Sequence, residues 1–322
     1  MSKLSRAFEL SQQVSIAANE EASRWGQPQI DIDHVFLALL VTGGRAGHIL
    51  RGQDVSLDEA RTAVQALHAE QVASLGISVP EMEPVPIADP SIGNIDWSPR
   101  GLAVMRDSSD YSDDLDLLVA LIDEPSGFIS AVLKRLRLDP NEVRRAVGEA
   151  RATPDTDRVA DPGNSGWCSV SNTGFIPASL AQVWALLADV SRRPEWDSCV
   201  GRVERVDAES WDLWVATRRS DGKPVRIRRD FRRSRIRQIA IEPQHRVVWE
   251  ITQPDRGRRT ITQRFAVTLA ETTGGTSIDS SFQWRRTGGW RGIAQRPLAP
   301  LYRFVMRQRL FATVGGISRT FR

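Results

Sequence analysis

The 322-residue chain has little of what builds covalent or metal-held frameworks: two cysteines, Cys168 and Cys199, and four histidines, His34, His48, His68 and His245. No CxxC pair occurs and no histidine stands at ligand spacing from another, which excludes a disulfide framework and a zinc site as organising features. Both cysteines read as buried small apolar residues. No catalytic triad can be assembled from so few scattered histidines, and no metal or other cofactor is expected. No G-x-x-x-x-G-K-[ST] phosphate loop occurs either: Gly222-Lys223 lacks the upstream glycine and Gly274-Gly275 lacks the lysine, so these residues hold no P-loop ATPase. Apolar runs stay well short of the roughly 18–20 residues that span a bilayer. The opening MSKLSRAFEL has no uninterrupted apolar core and no small-residue cleavage site, and the chain is read as cytoplasmic.

Charge is what the chain distributes unevenly. Residues 1–157 hold 14 Lys and Arg against 25 Asp and Glu, and residues 158–322 hold 29 against 15, so a formal net charge of +3 conceals an acidic and a basic half. The length suits two domains of about 150 residues each. Residues 1–150 are read as one domain, 151–166 as a polar linker with two prolines and two glycines, and 167–322 as a second domain.

The acidic half is helical in pattern. Leu4, Ala7, Leu10, Val14, Ala17, Ala18 and Ala22 recur at three and four residues, an amphipathic stripe that ends near Gly26-Gln27-Pro28. Asp31 or Asp33 caps a buried second helix, IDHVFLALLV. A short AGHIL helix and a helix over Ser56–Gln71 follow, with Asp58 and Glu59 in the latter's first turn opposing the helix dipole. The proline-rich VPEMEPVPIADP is an extended connector. Beyond it the pattern partly repeats: Ser98-Pro99-Arg100 opens a helix, LDLLVALI echoes DHVFLALL, and FISAVLKRLRLDPNEVRRAV echoes AGHILRGQDVSLDEARTAV.

The basic half changes period. WCSVSNTGF is a strand, Ser179 caps the helix LAQVWALLADV, and SRRPEW is a short turn. Seven alternating segments follow, CVGRVERVDA, SWDLWVATRR, KPVRIRRDFRRS, RQIAIEPQ, HRVVWEITQ, TITQRFAVTLAET and TSIDSSFQWRRT, separated by turn signals, and predict an antiparallel meander. Residues Pro297–Phe321 form a long helix with Leu298, Leu301, Tyr302, Val305, Met306, Leu310, Val314 and Ile317 on a wide apolar face.

Two family resemblances attach to these residues. AANEEASRWGQPQIDIDHVFLALL, the "IL…DEAR" tail and the second SPR resemble the double four-helix repeat of Clp-type unfoldase N-terminal domains, over about residues 4–150. The resemblance implies recruitment of a Clp substrate, adaptor or phospho-arginine protein. Asp33, before His34, occupies the acidic position that some members use for phosphorylated arginine, and the second copy has Leu115 there. IPASLAQVWALLADVSRRPEWD, the late strands and the final helix resemble the START-like superfamily, in its polyketide cyclase/dehydrase (SRPBCC) branch, over about residues 167–320. That implies a helix-grip fold, an antiparallel sheet curved around a long helix, with an apolar cavity for a lipid or other hydrophobic molecule. The fold class expected is therefore an all-α double repeat followed by an α+β helix-grip domain.

Alternation assigns inward faces. Ile261, Gln263, Phe265, Val267 and Leu269 share one, as do Ile278, Ser280, Phe282 and Trp284, and Val247, Trp249 and Ile251. The candidate ligand residues are Trp249, Gln263, Phe265, Ser280, Phe282 and Trp284, with Tyr302 and Met306 from the helix. Such faces equally suit a plain core, but Gln263 and Ser280 need polar partners there. Asp33 and His34 are the candidate protein-binding residues, with a cap or packing role as the alternative. Arg226, Arg228 and Arg232 lie opposite Val225, Ile227 and Phe231 and form a basic outer face. That face is a solvated sheet surface, a site for nucleic acid or anionic lipid, or a dock for a protein partner, including the acidic half of the same chain. The reading carried forward is a nonenzymatic two-module binding protein. Its alternatives are a polyketide cyclase or dehydratase and a basic-face nucleic-acid or anionic-membrane binder.

Overall fold

Helical periodicity before residue 153 and strand alternation after residue 167 give two differently built units in the computed structural model, which describes residues 3–76, 85, 95–107, 113–153, 167–218, 222–285 and 299–322. The units are Met1–Thr156 and Asp157–Phe321, each with its own apolar core. Most of the expected connector and linker lies outside the described residues, as do residues 108–112 and Leu298.

The first unit runs α1 (Lys3–Arg24), β1 (Gln29–Ile30), α2 (Ile32–Val41), α3 (Arg45–Gly52), α4 (Leu57–Ala73), β2 (Asp96–Trp97), α5 (Pro99–Asp107), α6 (Asp114–Asp123), α7 (Phe128–Arg135) and α8 (Pro140–Ala152). All ten residues of α2 are buried, as a helix apolar on every side must be when it occupies the centre of a bundle. Asp31 caps α2 through its own carboxylate, and His34 reciprocates by accepting the Asp31 backbone N–H at 3.0 Å. Of the two capping candidates, Asp31 therefore fills the role and Asp33 does not. β1 and β2 pair in parallel, Ile30 opposite Trp97, which brings the second repeat to the mouth of α2. There Asp31 accepts from Ser98 Oγ at 2.6 Å and from the Arg100 guanidinium at 2.6–2.9 Å. Ser98 Oγ in turn accepts the Gly101 N–H at 2.9 Å, starting α5. Across the repeats, Asp114 Oδ2 accepts the Ala46 N–H at 2.7 Å and supplies the cap that Gly44, at the N-cap of α3, lacks.

The second unit runs β3 (Trp167–Ile176), α9 (Leu180–Ala188), α10 (Arg193–Trp196), β4 (Val200–Arg205), β5 (Ser210–Val215), β6 (Arg233–Glu242), β7 (Arg246–Thr252), β8 (Gln263–Thr272), β9 (Gly275–Arg285) and α11 (Ala299–Arg319). The seven strands form one antiparallel sheet in the order β3-β9-β8-β7-β6-β5-β4. A meander whose first strand returns beside its last, with α11 packed on β3, β9 and α10, is the expected helix-grip arrangement. Gly274, at φ 78°, supplies the left-handed turn between β8 and β9. Gly316 has a packing role: a Cβ there would meet the Trp196 carbonyl oxygen at 1.9 Å, so only glycine lets α11 lie this close to α10.

Four expectations about this unit fail, the first being burial of both cysteines: Cys168 is half-buried and Cys199 exposed. The arginine-rich KPVRIRRDFRRS is not a strand. Among the described residues its pairing is the isolated bridge Arg218↔Pro224, and a 3-10 turn occupies Arg229–Phe231 before β6 begins at Arg233. Ile261 precedes β8 and is exposed. The apolar face of α11 is narrower than its composition suggests: Met306, Leu310, Val314 and Ile317 follow the buried i, i+4, i+8, i+11 stripe, and Leu301 and Val305, one position off it, are exposed.

Candidate functional site

Alternation on β7, β8 and β9 brings three aromatic residues into one row. Trp249 pairs directly across the ladder with Phe265, and Phe265 with Phe282. Their rings stack at centroid distances of 5.4 and 4.9 Å, the offset arrangement that aromatic quadrupoles favour. All three are buried. One step along the strands, Trp284 meets the edge of Tyr302 from α11 at 5.1 Å, and Met306 lies buried a turn later. Trp284 is also Gln263's cross-strand neighbour. The expected ligand residues thus share the face of the sheet that turns toward the final helix.

The polar groups on this face are unevenly satisfied. Ser280 Oγ donates to the Asn172 carbonyl at 3.0 Å, within the sheet, so its polarity is spent on β3. Gln263 Nε2 reaches Tyr302 Oη at a long 3.4 Å, and Gln263 Oε1 is buried with no hydrogen-bond partner among the described residues. The Trp249 indole Nε1–H is buried and unpartnered as well. An orphaned buried donor or acceptor costs about 1–3 kcal/mol, so two within one layer mark it as unlike an ordinary core.

A third group in the layer is absent from the sequence expectations. Arg193, 2% exposed, sets its guanidinium carbon 4.7 Å from the Trp196 ring centroid, 5.8 Å from that of Trp249 and 5.6 Å from that of Phe265. Its Nε contacts Asp197 at 3.3 Å, one helical turn on, and its Nη1 has no hydrogen-bond partner among the described residues. Burial pulls its pKa below the ordinary arginine value, with Asp197 opposing and Arg309 reinforcing that fall. Arg309 itself lies with its guanidinium carbon 5.3 Å from the Phe282 ring. The sequence carried a signal for Arg193: Leu187, Val190, Arg193 and Trp196 recur every three residues and all are buried. Reading SRRPEW as a short turn concealed it.

In the first unit the two expected residues lie together. Asp33 is 3% exposed, and its Oδ2 sits 2.8 Å from His68 Nε2. Its Oδ1 comes within 3.2 Å of His34 Nδ1, but that nitrogen already accepts the Asp31 N–H, so Oδ1 is left without a hydrogen-bond partner among the described residues. Burial pushes the Asp33 carboxyl up, and the His68 hydrogen bond and the adjoining imidazoles bring it below the usual carboxylate range. His68 packs on Phe128 at 4.7 Å. In the second repeat Leu115, buried, holds the place of Asp33, the second position of its helix.

The basic segment is exposed at Arg226, Arg228 and Arg232, as expected, though on a loop and not a strand. Arg228 pairs with Asp230 at 3.3 Å. Phe231, expected to point inward, is 38% exposed and lies under the Arg256 guanidinium at 4.5 Å. A cation on one ring face favours that outward placement.

Among the described residues no helix is long and apolar enough to cross a membrane, and no group of three His, Cys, Asp or Glu is placed to hold a metal ion.

A seven-stranded sheet gripping a long helix, behind a four-helix repeat written twice, defines the class of protein. Residues 168–310 match the family described as polyketide cyclase / dehydrase and lipid transport. The helical region is similar to Clp chaperones: the chain is 23% identical over 203 residues to the chloroplastic chaperone protein ClpC1 of Oryza sativa subsp. japonica, and 24% identical over 227 residues to the chloroplastic ClpC2 of Arabidopsis thaliana. Those alignments cover 60% and 66% of this chain, which spans about a fifth of each relative's length. Solved structures similar to the chain include a protein of unknown function from Staphylococcus aureus, 13% identical, covering 48% of this chain and 93% of that one at a TM-score of 0.36. Another, from Deinococcus radiodurans, is 18% identical and covers 44% and 98% at a TM-score of 0.28. Both resemblances expected from the sequence are thus found.

Proposed function

We propose that the C-terminal unit binds a hydrophobic small molecule between its sheet and α11, that the N-terminal double repeat engages a protein segment, and that neither unit catalyses a reaction. The observation that carries the first part is the aromatic row Trp249–Phe265–Phe282 bordered by buried polar atoms without partners. An apolar platform with a few convergent polar groups is what a small-molecule site requires, and the match of residues 168–310 to a lipid-transport and cyclase family points the same way. Native mass spectrometry of the full chain tests it. Co-purifying hydrophobic mass, or displacement of an apolar fluorophore by added lipid, is the expected result, and a chain that takes up no apolar probe overturns the reading.

Engagement of a protein by the first unit rests on the likeness to ClpC chaperones. The site proposed is the Asp33–His34 corner together with His68. Asp33→Ala should weaken capture of a Clp-type substrate or adaptor, and capture unaffected by it would move the site elsewhere.

A cyclase-like activity is the second reading, favoured by the Gln263–Tyr302 contact beside the Trp249 donor, polar groups able to orient a polyketide-like substrate. Turnover of an aromatic polyketide, lost on Gln263→Leu, would establish it. Nucleic-acid or anionic-membrane binding through Arg226, Arg228 and Arg232 draws less support, since Arg228 is paired with Asp230 and Arg232 Nε donates to the Ile227 carbonyl.

A further inference from the structure

Resting on the reading of the C-terminal unit as a binder of hydrophobic molecules, we infer that its ligand is an acid: an apolar body on the Phe265–Phe282 rings ending in a carboxylate that the buried Arg193 guanidinium and the Trp249 indole N–H receive.

The argument begins with cost. A guanidinium taken out of water needs compensation by opposite charge and hydrogen bonds, and removing that compensation is what makes buried charges expensive. Arg193 has part of it: one contact to Asp197 at 3.3 Å, longer than a good charge-assisted bond, and the π-faces of Trp196, Trp249 and Phe265. What remains unmet is Nη1, buried without a partner.

Charge balance gives the sign of what is missing. Two guanidiniums, Arg193 and Arg309, approach the same aromatic row from α10 and α11, and they are near enough for Arg309 to act on the Arg193 charge. Among the described residues Asp197 is the carboxylate in contact with Arg193, at 3.3 Å, and it also accepts the Cys199 N–H at 3.2 Å. A cationic ligand is repelled by this arrangement, and because Arg309 is exposed to solvent the demand left for a ligand to meet is that of the buried Arg193 Nη1. An anion meets it.

Donor geometry gives the chemical class. Among the described residues the buried donors without partners around this guanidinium include Arg193 Nη1, Trp249 Nε1 and Trp196 Nε1; the first two belong to residues whose guanidinium and ring are 5.8 Å apart. A carboxylate has two oxygens and about four lone-pair directions and can accept from both at once. Beyond Trp249 the row continues as hydrocarbon, Phe265, Phe282, Met306 and Leu310, all buried, and suits an alkyl or aryl body.

The experiment uses the full chain at neutral pH and physiological salt, with two matched pairs of probes followed by tryptophan fluorescence and native mass spectrometry: dodecanoate against 1-dodecanol, and 2-naphthoate against 2-naphthalenemethanol. The wild-type chain should bind each acid at least about tenfold more tightly than its alcohol, the effect of a charge-assisted bond in a dry site. Preference confined to one pair identifies the body as aliphatic or aryl and supports the inference. Arg193→Met, which keeps the volume and drops the charge, should abolish the preference, bringing the affinity for each acid to within about threefold of that for its alcohol. The wild-type comparison needs no variant, so a misfolded Arg193→Met leaves the test intact. Equal affinity for acid and alcohol, or a preference that survives Arg193→Met, overturns the carboxylate inference while the ligand-binding reading stands. A chain that binds none of the four overturns both.

Discussion

Trp249 and Phe265 face each other directly across the β7–β8 ladder with their rings 5.4 Å apart and nearly parallel, 14° between planes, yet the indole N–H of Trp249 finds no acceptor. The pair combines a well-packed interior with an unmet polar demand, and the two can be separated. Trp249→Phe keeps an aromatic ring in the row and deletes the orphaned donor.

Removing an unsatisfied buried donor returns up to about 1–3 kcal/mol, set against the smaller ring's lost packing. The thermal midpoint of Trp249→Phe should therefore stay at or near the wild-type value instead of dropping by the several kcal/mol usual for a truncated core tryptophan. Affinity for a bound acid should fall together with this neutral stability. Calorimetric unfolding and probe titration on the same preparation check the combination. A large loss of stability with unchanged binding would make the indole N–H a packing feature only.

The approach of α11 to α10 depends on Gly316, where a Cβ would lie 1.9 Å from the Trp196 carbonyl oxygen. That neighbour is backbone and cannot rotate away, so Gly316→Ala must push the helix outward. A cost of about 1–3 kcal/mol is expected for overpacking of this kind, despite the gain in helix propensity that alanine brings. Because Trp196 and Arg193 share α10, the displacement should also weaken probe binding. Urea unfolding together with a binding isotherm reads both effects, and a Gly316→Ala chain as stable as wild type would disprove the packing argument.

Fold was legible in this sequence wherever burial and period coincide. The Val35–Val41 run, the alternating Val247, Trp249 and Ile251, and the Ser179 cap all form what their spacing predicts. Legibility failed where local backbone structure overrode the pattern: the 3-10 turn at Arg229–Phe231 interrupts a segment whose alternation would otherwise have run through Phe231. It failed again where a charged residue occupies an interior position. Arg193 was invisible because charge normally signals solvent, and only its place in the buried Leu187, Val190, Trp196 series gives it away. The choice between Asp31 and Asp33 as the cap needed the position of His34, which accepts the Asp31 N–H. The aromatic platform was thus readable from alternation, and the charge that gives it chemical direction was not.

Asp31 ties the two repeats together by capping α2 and accepting from Ser98 and Arg100. Burial raises its pKa, but the Arg100, Ser98 and Ile32 hydrogen bonds outweigh that and hold it below the usual value. A carboxylate depressed in the folded state contributes stability that is present above its unfolded pKa of about 3.9 and lost as pH falls through the folded value. Asp31→Ala should cost about 1–3 kcal/mol at neutral pH, a cap plus a partly exposed ion pair. The difference from wild type should narrow on acidification below pH 4. Acid titration of the unfolding midpoint for the two chains decides it.

Asp114 is predicted to show the opposite sign. It is 6% exposed, and burial, aided by the neighbouring Asp113, pushes its pKa up even though it accepts the Ala46 N–H. A folded state that holds the proton more tightly than the unfolded chain loses stability as pH rises from the unfolded pKa through the folded one, so at neutral pH the charge is a net cost. Asn in its place keeps a carbonyl oxygen for the Ala46 N–H and removes that charge. Asp114→Asn should therefore be at least as stable as wild type at pH 7, with its advantage vanishing toward pH 3–4, where wild-type Asp114 is protonated. Asp114→Ala loses the acceptor and leaves the start of α3, with Gly44 at its N-cap, without a side-chain cap, at a cost of about 0.5–2 kcal/mol. If Asp114→Asn is the less stable chain at pH 7, the carboxylate's charge at the α3 N-terminus outweighs its burial, and the sign argued here is reversed.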